Sequence, residues 1–372
     1  MDEAVYADAA ERLWAGVGLG ADYTRNRVPG YPVFLALVDF LVPGGVLALR
    51  LGQAALVAFG ALLCFDLGRR LGGPAAGLAA AALYSLDPLL ILSAGLLYPE
   101  ASAALLLCGS VLAAWQAVQR DRLLPALIAG LLLSVLTLFR PMGLALAPAM
   151  IGWVGLAPGW PWRRRAAHAA VLIGAWAIVL APYAVSQVHL HGRLIPTTFA
   201  GLRGVPTIWP EVERSGVPGA VAGAIQRDPP GFARRTLREF GHFWALYPTR
   251  LITDDPARRA GLSERDSRLS SAPVVQRSGR NIVSAVSFGL ELALAGIGLV
   301  VAWRHRRRET VWLVVLVLSF ALGYSLFFGK LRYRIPILPI VLAFAGLGAA
   351  TLADRLTRWR TLRPSGSVAT SP

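Results

Sequence analysis

The chain alternates long apolar runs with short polar gaps. The apolar runs cover about 45–68, 75–97, 101–118, 123–139, 142–157, 168–187, 281–303, 311–328 and 336–353, each near the length a helix needs to cross a bilayer. Ahead of them, residues 3–16 read as a short amphipathic helix with Tyr6, Ala10, Leu13 and Trp14 on one side. Residues 31–40 form an apolar segment too short to span and suited to the membrane interface. The runs that meet at Arg140-Pro141 make the shortest hairpin, and Asp87-Pro88 interrupts another run, which predicts a helix break with Asp87 capping the next segment. The expected fold class is an all-α polytopic membrane protein. Residues 1–187 form an N-terminal transmembrane region with the first outer loop, 188–280 an outer loop region rich in Pro, Gly and Arg, 281–353 a C-terminal transmembrane region, and 354–372 a basic cytoplasmic tail ending in a low-complexity stretch.

Arginines fall in every second gap: Arg69-Arg70, Arg120 with Arg122, Arg163-Arg164-Arg165, Arg304 with Arg306-Arg307-Arg308, and Arg355 with Arg358 and Arg360. Positive charge at span ends marks the cytoplasmic side, so the alternate gaps are expected to face outward. Those gaps hold Asp2-Glu3, Arg27-Val28-Pro29-Gly30-Tyr31-Pro32, Tyr98-Pro99-Glu100, the long loop, and Lys330-Leu331-Arg332-Tyr333-Arg334. Composition agrees with a membrane protein: 55% of residues are hydrophobic and 16% charged. The net charge of +16 does not require nucleic acid, because the arginines sit at span ends and form no basic stripe. Lys330 is the one lysine of the chain. Cys64 and Cys108 both lie in apolar runs, without CxxC or Cys/His spacing, and read as buried thiols.

Each polar motif admits a chemical and a plainer reading. Asp2-Glu3 offers a carboxylate at the membrane surface that takes a proton from an acceptor hydroxyl; a solvated pair or helix-capping acids fit equally simple spacing. Glu100 at an outer turn holds a metal or orients a hydroxyl, or serves the helix macrodipole after Pro99. Lys330, Arg332 and Arg334 form a dense outer cationic cluster, suited to a phosphate or to lipid headgroups. If that segment is extended, Arg332 and Arg334 share a face. Arg27 and Arg140 are further outward arginines able to join them. His189 and His191 stand as an HxH pair, a metal pair with Glu100 as a third ligand or two interfacial histidines. Trp209, Phe243, Trp244 and Tyr247 line a sugar site or pack the loop against the membrane.

Taken in order, Asp2-Glu3-Ala4-Val5-Tyr6-Ala7, Arg27 through Ala36, Ser93 through Glu100, Phe139-Arg140-Pro141, Gly192 through Thr198 and Arg332-Tyr333-Arg334-Ile335-Pro336 resemble the GT-C fold membrane glycosyltransferases. These are the bacterial relatives of protein O-mannosyltransferases and of the lipid A aminoarabinose transferase. The resemblance runs through nearly the whole chain. It implies a GT-C type bundle of about nine spans, a polyprenyl-phosphate sugar donor, and catalysis on the outer face of the inner or plasma membrane. Asp2 corresponds to the acidic residue expected to act as base, with Glu3 beside it and Glu100 as the second outer acid. Arg332 and Arg334 correspond to the carrier-phosphate cations, and the donor-phosphate set extends to Arg27, Arg140, Lys330 and Tyr333. Family members carry a transmembrane helix before the acidic pair, so a leading helix is expected to be missing from this chain.

The function expected is an integral membrane glycosyltransferase that moves a hexosyl or pentosyl group to an acceptor hydroxyl with inversion at the anomeric carbon. Its partners are the polyprenyl-phosphate-linked donor, a lipid, glycan or protein acceptor, and membrane lipids, with no nucleic acid. The cofactor is open, a divalent metal on Glu100, His189 and His191 being the candidate. A transporter or flippase of lipid-linked sugars, or an inactive relative, would use the same cations without chemistry; a transporter is expected to show repeated halves and broken helices.

Overall fold

The computed structural model describes residues 2–20, 23–24, 27–191, 209–247, 274–326 and 331–362, and among these every regular element is helical. In chain order they are α1 Asp2–Trp14, α2 Gly30–Leu41, α3 Gly45–Gly72, α4 Pro74–Leu86, α5 Pro88–Ala94, α6 Pro99–Arg120, α7 Leu123–Phe139, α8 Gly143–Gly155, α9 Trp162–His191, α10 Trp209–Arg227, α11 Pro229–Phe243, α12 Val274–His305, α13 Arg307–Ser325, a 3-10 turn Leu331–Ile337, and α14 Leu338–Leu362.

Six of these segments are long and apolar enough to cross a membrane: α3, α6, α9, α12, α13 and the 3-10 turn running into α14. Helices α4 and α5, bent by 58° at their junction, make a seventh. Asp87 sits at that break, where its side chain accepts from the Leu90 N–H at 2.7 Å and Pro88 starts the next helix. Helices α7 and α8 have 17 and 13 residues, so about 25 Å and 20 Å of rise, less than a full hydrocarbon core. Counted with the others, they give the nine apolar segments that the sequence pattern predicts.

Burial divides the spans into centre and periphery. Of the apolar window in α6, 72% lies inside the bundle, and 78% in the final span, against 11% in α9 and 28% in each of α3 and α12. The outer helices present large apolar side chains such as Leu51, Phe59, Ile178 and Val286 to their surroundings, as lipid-facing surfaces do. The main core joins Leu107, Val111, Trp115, Leu133, Met150, Trp153, Leu316, Phe320 and Ile340, with Trp115 and Trp153 rings 6.0 Å apart. Close approach around α14 depends on small residues. A Cβ on Gly348 would strike the Leu294 carbonyl of α12, and one on Gly298 the Phe344 carbonyl of α14. Cys64 and Cys108 are both buried free thiols, as expected.

Three boundaries differ from the sequence expectation. Helix α9 runs on to His191 and α12 begins at Val274, so helices extend into both edges of the 188–280 loop region. The loop is itself helical at α10 and α11. The basic tail continues α14 to Leu362 before the last residues, which fall outside the described part. Aromatic residues of the loop pack on the bundle: Phe243 stacks on Tyr324 at 6.3 Å and Trp244 on Phe288 at 6.3 Å. Tyr247 is half-exposed, and the Trp209 side chain falls outside the described residues.

Candidate functional site

The two central spans, α6 and the 3-10 turn with α14, begin at the same end of the bundle, and their first turns meet. Pro99 opens α6, and Glu100 follows in the first turn, where the helix dipole favours an acid. Only 1% of Glu100 is exposed, and its carboxylate is shared between Arg140 and Arg332. Arg332 Nε lies 3.4 Å from Glu100 Oε1, and Arg140 is in closer contact with the same oxygen. Arg140 occupies the extended C-cap of α7, its N–H bonded to the Leu136 carbonyl at 2.7 Å, with Pro141 preventing further helix. Burial opposes a charge on Arg140, but the Glu100 carboxylate overrides it and holds the guanidinium firmly protonated, well above its ordinary range. Arg332 keeps 31% of its side chain exposed, while Glu100 is sealed behind it.

Aromatic rings fix both cations. Arg332 lies 4.9 Å from the Tyr98 ring centre and 5.5 Å from that of Tyr333; Arg140 lies 5.6 Å from Tyr333. Tyr333 stacks on Tyr324 of α13 at 4.6 Å, and Tyr324 packs on Phe320 and Phe243. Tyr324 is a site residue that sequence reading missed; it sits in an apolar run, with only Ser325 beside it polar.

The segment from Leu331 is a 3-10 turn, not a strand, and this corrects the expectation that Arg332 and Arg334 share a face. At three residues per turn, positions two apart are rotated by about 240° and so diverge by about 120°. Arg334 accordingly turns away from Glu100. It is 3% exposed, lies 3.4 Å over the Phe288 ring, and donates from Nη1 to the Ala245 carbonyl at 2.7 Å. Its nearest acids are Asp87 and Glu291, the second a buried carboxylate of α12. Arg334 therefore ties the segment just after α11 to the bundle. Lys330 lies outside the described residues.

Helix α1 is fastened beside the site by Glu3, whose Oε1 accepts from the Leu97 N–H at 2.9 Å and faces Arg50 at 3.7 Å. Asp2 starts this helix, and its side chain lies outside the described part. Arg27 lies 5.1 Å over the Tyr6 ring, which meets Tyr31 edge-on at 5.0 Å. Tyr31, fully buried, donates to Gln53 Oε1, and Gln53 Nε2 donates to the Ser93 carbonyl at 2.6 Å and to the Leu96 carbonyl. Burial first and the Glu100 carboxylate second push the Tyr31 hydroxyl well above its ordinary range, so it stays a neutral donor. Gly30 makes this packing possible: a Cβ there would sit 2.6 Å from the Leu138 carbonyl oxygen.

Among the described residues no three of His, Cys, Asp and Glu converge as a metal group. Glu100 is engaged by two arginines, His189 is exposed on α9, and the side chain of His191 lies outside the described part. Gly192 through Thr198 of the resemblance also lie outside it.

At the opposite end of the bundle the arginines of the alternate gaps assemble. Arg70 Nη1 donates to Gln119 at 3.4 Å, Arg164 pairs with Asp121 at 2.7 Å, and Arg308 Nη2 donates to the Trp153 carbonyl at 3.1 Å. The polar motifs and the arginine clusters thus lie at opposite ends of the spans.

Residues 26–185 match the family described as dolichyl-phosphate-mannose-protein mannosyltransferase. That stretch includes Arg27, Glu100 and Arg140. No curated protein sequence matches the chain. Among solved structures, ArnT from Cupriavidus metallidurans in the apo state is similar, with a TM-score of 0.61 and 16% identity, over 96% of this chain and 56% of that one. The same protein bound to undecaprenyl phosphate gives a TM-score of 0.60 and 14% identity, over 97% and 57%. The archaeal oligosaccharyltransferase AglB from Archaeoglobus fulgidus, in complex with an inhibitory peptide and a dolichol-phosphate, gives 0.56 and 15%, over 96% and 47%. The chain spans about half the length of these proteins. It is a multi-pass membrane protein with the GT-C glycosyltransferase fold.

Proposed function

We propose that the protein is a glycosyltransferase that moves a sugar from a polyprenyl-phosphate donor to an acceptor hydroxyl at the extracytoplasmic face of the membrane. The observation that carries this reading is the pair of guanidiniums, Arg140 and Arg332, gathered on buried Glu100, with Arg332 partly exposed. A polyprenyl phosphate is a good leaving group, so the reaction needs charge stabilisation more than an acid. Arg332, with Arg140 and Tyr333 behind it, would meet the phosphate as the bond from the anomeric carbon to phosphate oxygen breaks. The acceptor oxygen forms the new bond from the opposite side, inverting the centre, and its proton passes to a carboxylate base. Asp2 is assigned that role, with Glu3 holding the first turn of α1 against Leu97. Glu100 holds the two cations and is not the base. Undecaprenyl phosphate bound to ArnT and dolichol-phosphate bound to AglB support a lipid-phosphate ligand for this fold.

Labelled polyprenyl-phosphate hexoses and pentoses, offered to membranes containing the chain with lipid, glycan and protein acceptors, test this. Transfer is expected, and Asp2→Asn and Arg332→Gln are expected to abolish or severely reduce it. Donor translocation without transfer would overturn the enzyme reading in favour of a transporter, the one reading to which the 58° break at Asp87 lends weight.

A further inference from the structure

A second cationic site lies at the arginine-rich end. Arg69 and Arg70 from the last turn of α3, Gln119 and Arg120 from the last turn of α6, and Arg306 from the α12–α13 connection line one cleft of about 280 Å³. Arg120 is 20 residues along α6 from Glu100, so the cleft is about 30 Å from the site already described. Sidedness rules account for arginines in these connections, and helix C-termini favour cations. Neither accounts for four guanidiniums from three separate connections sharing one concavity, where like charges repel. Asp66 answers two of them, bonding Arg69 at 2.5 Å and Arg70 at 2.8 Å, and does not itself line the cleft. Among the described residues no carboxylate pairs with Arg120 or Arg306. Gln119 accepts from Arg70 through its carbonyl, which leaves its amide N–H groups as donors.

We infer that this cleft binds a phosphate-bearing anion, with the Arg120 and Arg306 guanidiniums as its principal ligands. Planar guanidiniums suit phosphate oxygens, and the volume is that of roughly nine waters, room for a phosphodiester headgroup. Basic pockets between spans at the charged membrane face take lipid headgroups in this way. A lipid headgroup and a soluble phosphate share this chemistry, and the test separates them.

The full chain would be reconstituted in phosphatidylcholine nanodiscs, and phosphatidylglycerol and inorganic pyrophosphate titrated separately, with retained ligand counted by native mass spectrometry. Arg120→Gln with Arg306→Gln is compared with Arg122→Gln plus Arg355→Gln, an exposed pair outside the cleft that removes the same charge. The expected result is loss of affinity by roughly tenfold or more in the cleft pair and little change in the control pair. Binding of the lipid alone assigns the site to a headgroup, and equal binding of pyrophosphate assigns it to a soluble phosphate. Equal loss in both pairs, or no binding of either probe, overturns the inference. Should the cleft pair fail to fold, Arg306→Gln alone is expected to weaken binding severalfold, and unchanged binding overturns the inference equally.

Discussion

Two clusters in this molecule share one formula, a carboxylate between two arginines, and differ in almost every physical respect. Asp66 binds Arg69 and Arg70 of its own helix, three and four residues on, with 22% of its side chain exposed and Arg69 half-exposed. Glu100 binds Arg140 and Arg332, which reach it from two other segments 40 and 232 residues away, and it is sealed at 1% exposure. The first forms wherever its helix forms. The second exists only once α6, the α7–α8 turn and the last span are packed together. An assembled, buried cluster can present a fixed guanidinium to a ligand, whereas a local exposed one serves mainly the helix that carries it.

The largest effect is expected from removing the buried acid. Glu100→Ala leaves two guanidiniums without their counter-charge, and losing one partner of a buried ion pair costs about 3–5 kcal/mol. The unfolding midpoint in detergent should fall sharply, with Glu100→Gln falling less because the amide oxygen still accepts. A loss below about 1 kcal/mol in Glu100→Ala would mean that the cluster does not hold these segments together.

Next comes the division between Arg332 and Arg334. Arg332 faces the opening and Arg334 the Ala245 carbonyl, so Arg332→Gln should reduce turnover by roughly 10²–10³-fold with a near-normal melting temperature. Arg334→Gln should chiefly lower the melting temperature and loosen the segment after α11, seen as faster proteolysis near residue 247. Turnover lost through Arg334→Gln in a fully stable protein would return Arg334 to the phosphate set.

The same contrast governs what could be read along the chain. The spans, the break at Asp87 and the segregation of arginines to one end follow from periodicity and local charge, and each is a short-range property. Glu100 and Arg140 stand out as polar residues in gaps between apolar runs, but their pairing is tertiary, and nothing at a spacing of 40 residues announces it. Arg332 and Arg334 show the limit within a single segment, because their relative direction depends on whether the backbone is extended or a 3-10 turn. Gln53, the partner of Tyr31, and Tyr324, the partner of Tyr333, lie in apolar runs, where polar residues read as incidental.

A smaller effect is expected from the helix contacts that carry the assembled cluster. Gly348→Val forces a side chain onto the Leu294 carbonyl and should destabilise by about 1–3 kcal/mol, whereas Gly174→Ala on α9, with no neighbouring atom within 4 Å, should be neutral or slightly stabilising. Equal melting temperatures for the two variants would show that α12 and α14 do not depend on this close approach.

The smallest effect belongs to the local cluster. Asp66→Asn removes both of its ion pairs, yet each is a contact within one helix and partly open to solvent, the setting in which such pairs contribute about 0.3–0.5 kcal/mol. The change should therefore stay below about 1 kcal/mol in the unfolding midpoint and fade as salt is added, because partly exposed pairs are screened. Sugar transfer should be unaffected, the residue being about 30 Å from Arg332 along the spans. Phosphatidylglycerol retention should rise, since Asp66 no longer competes for Arg69 and Arg70. A destabilisation as large as that of Glu100→Ala would erase the distinction between the two clusters, and it would show that the arginine-rich end also depends on an assembled, buried charge.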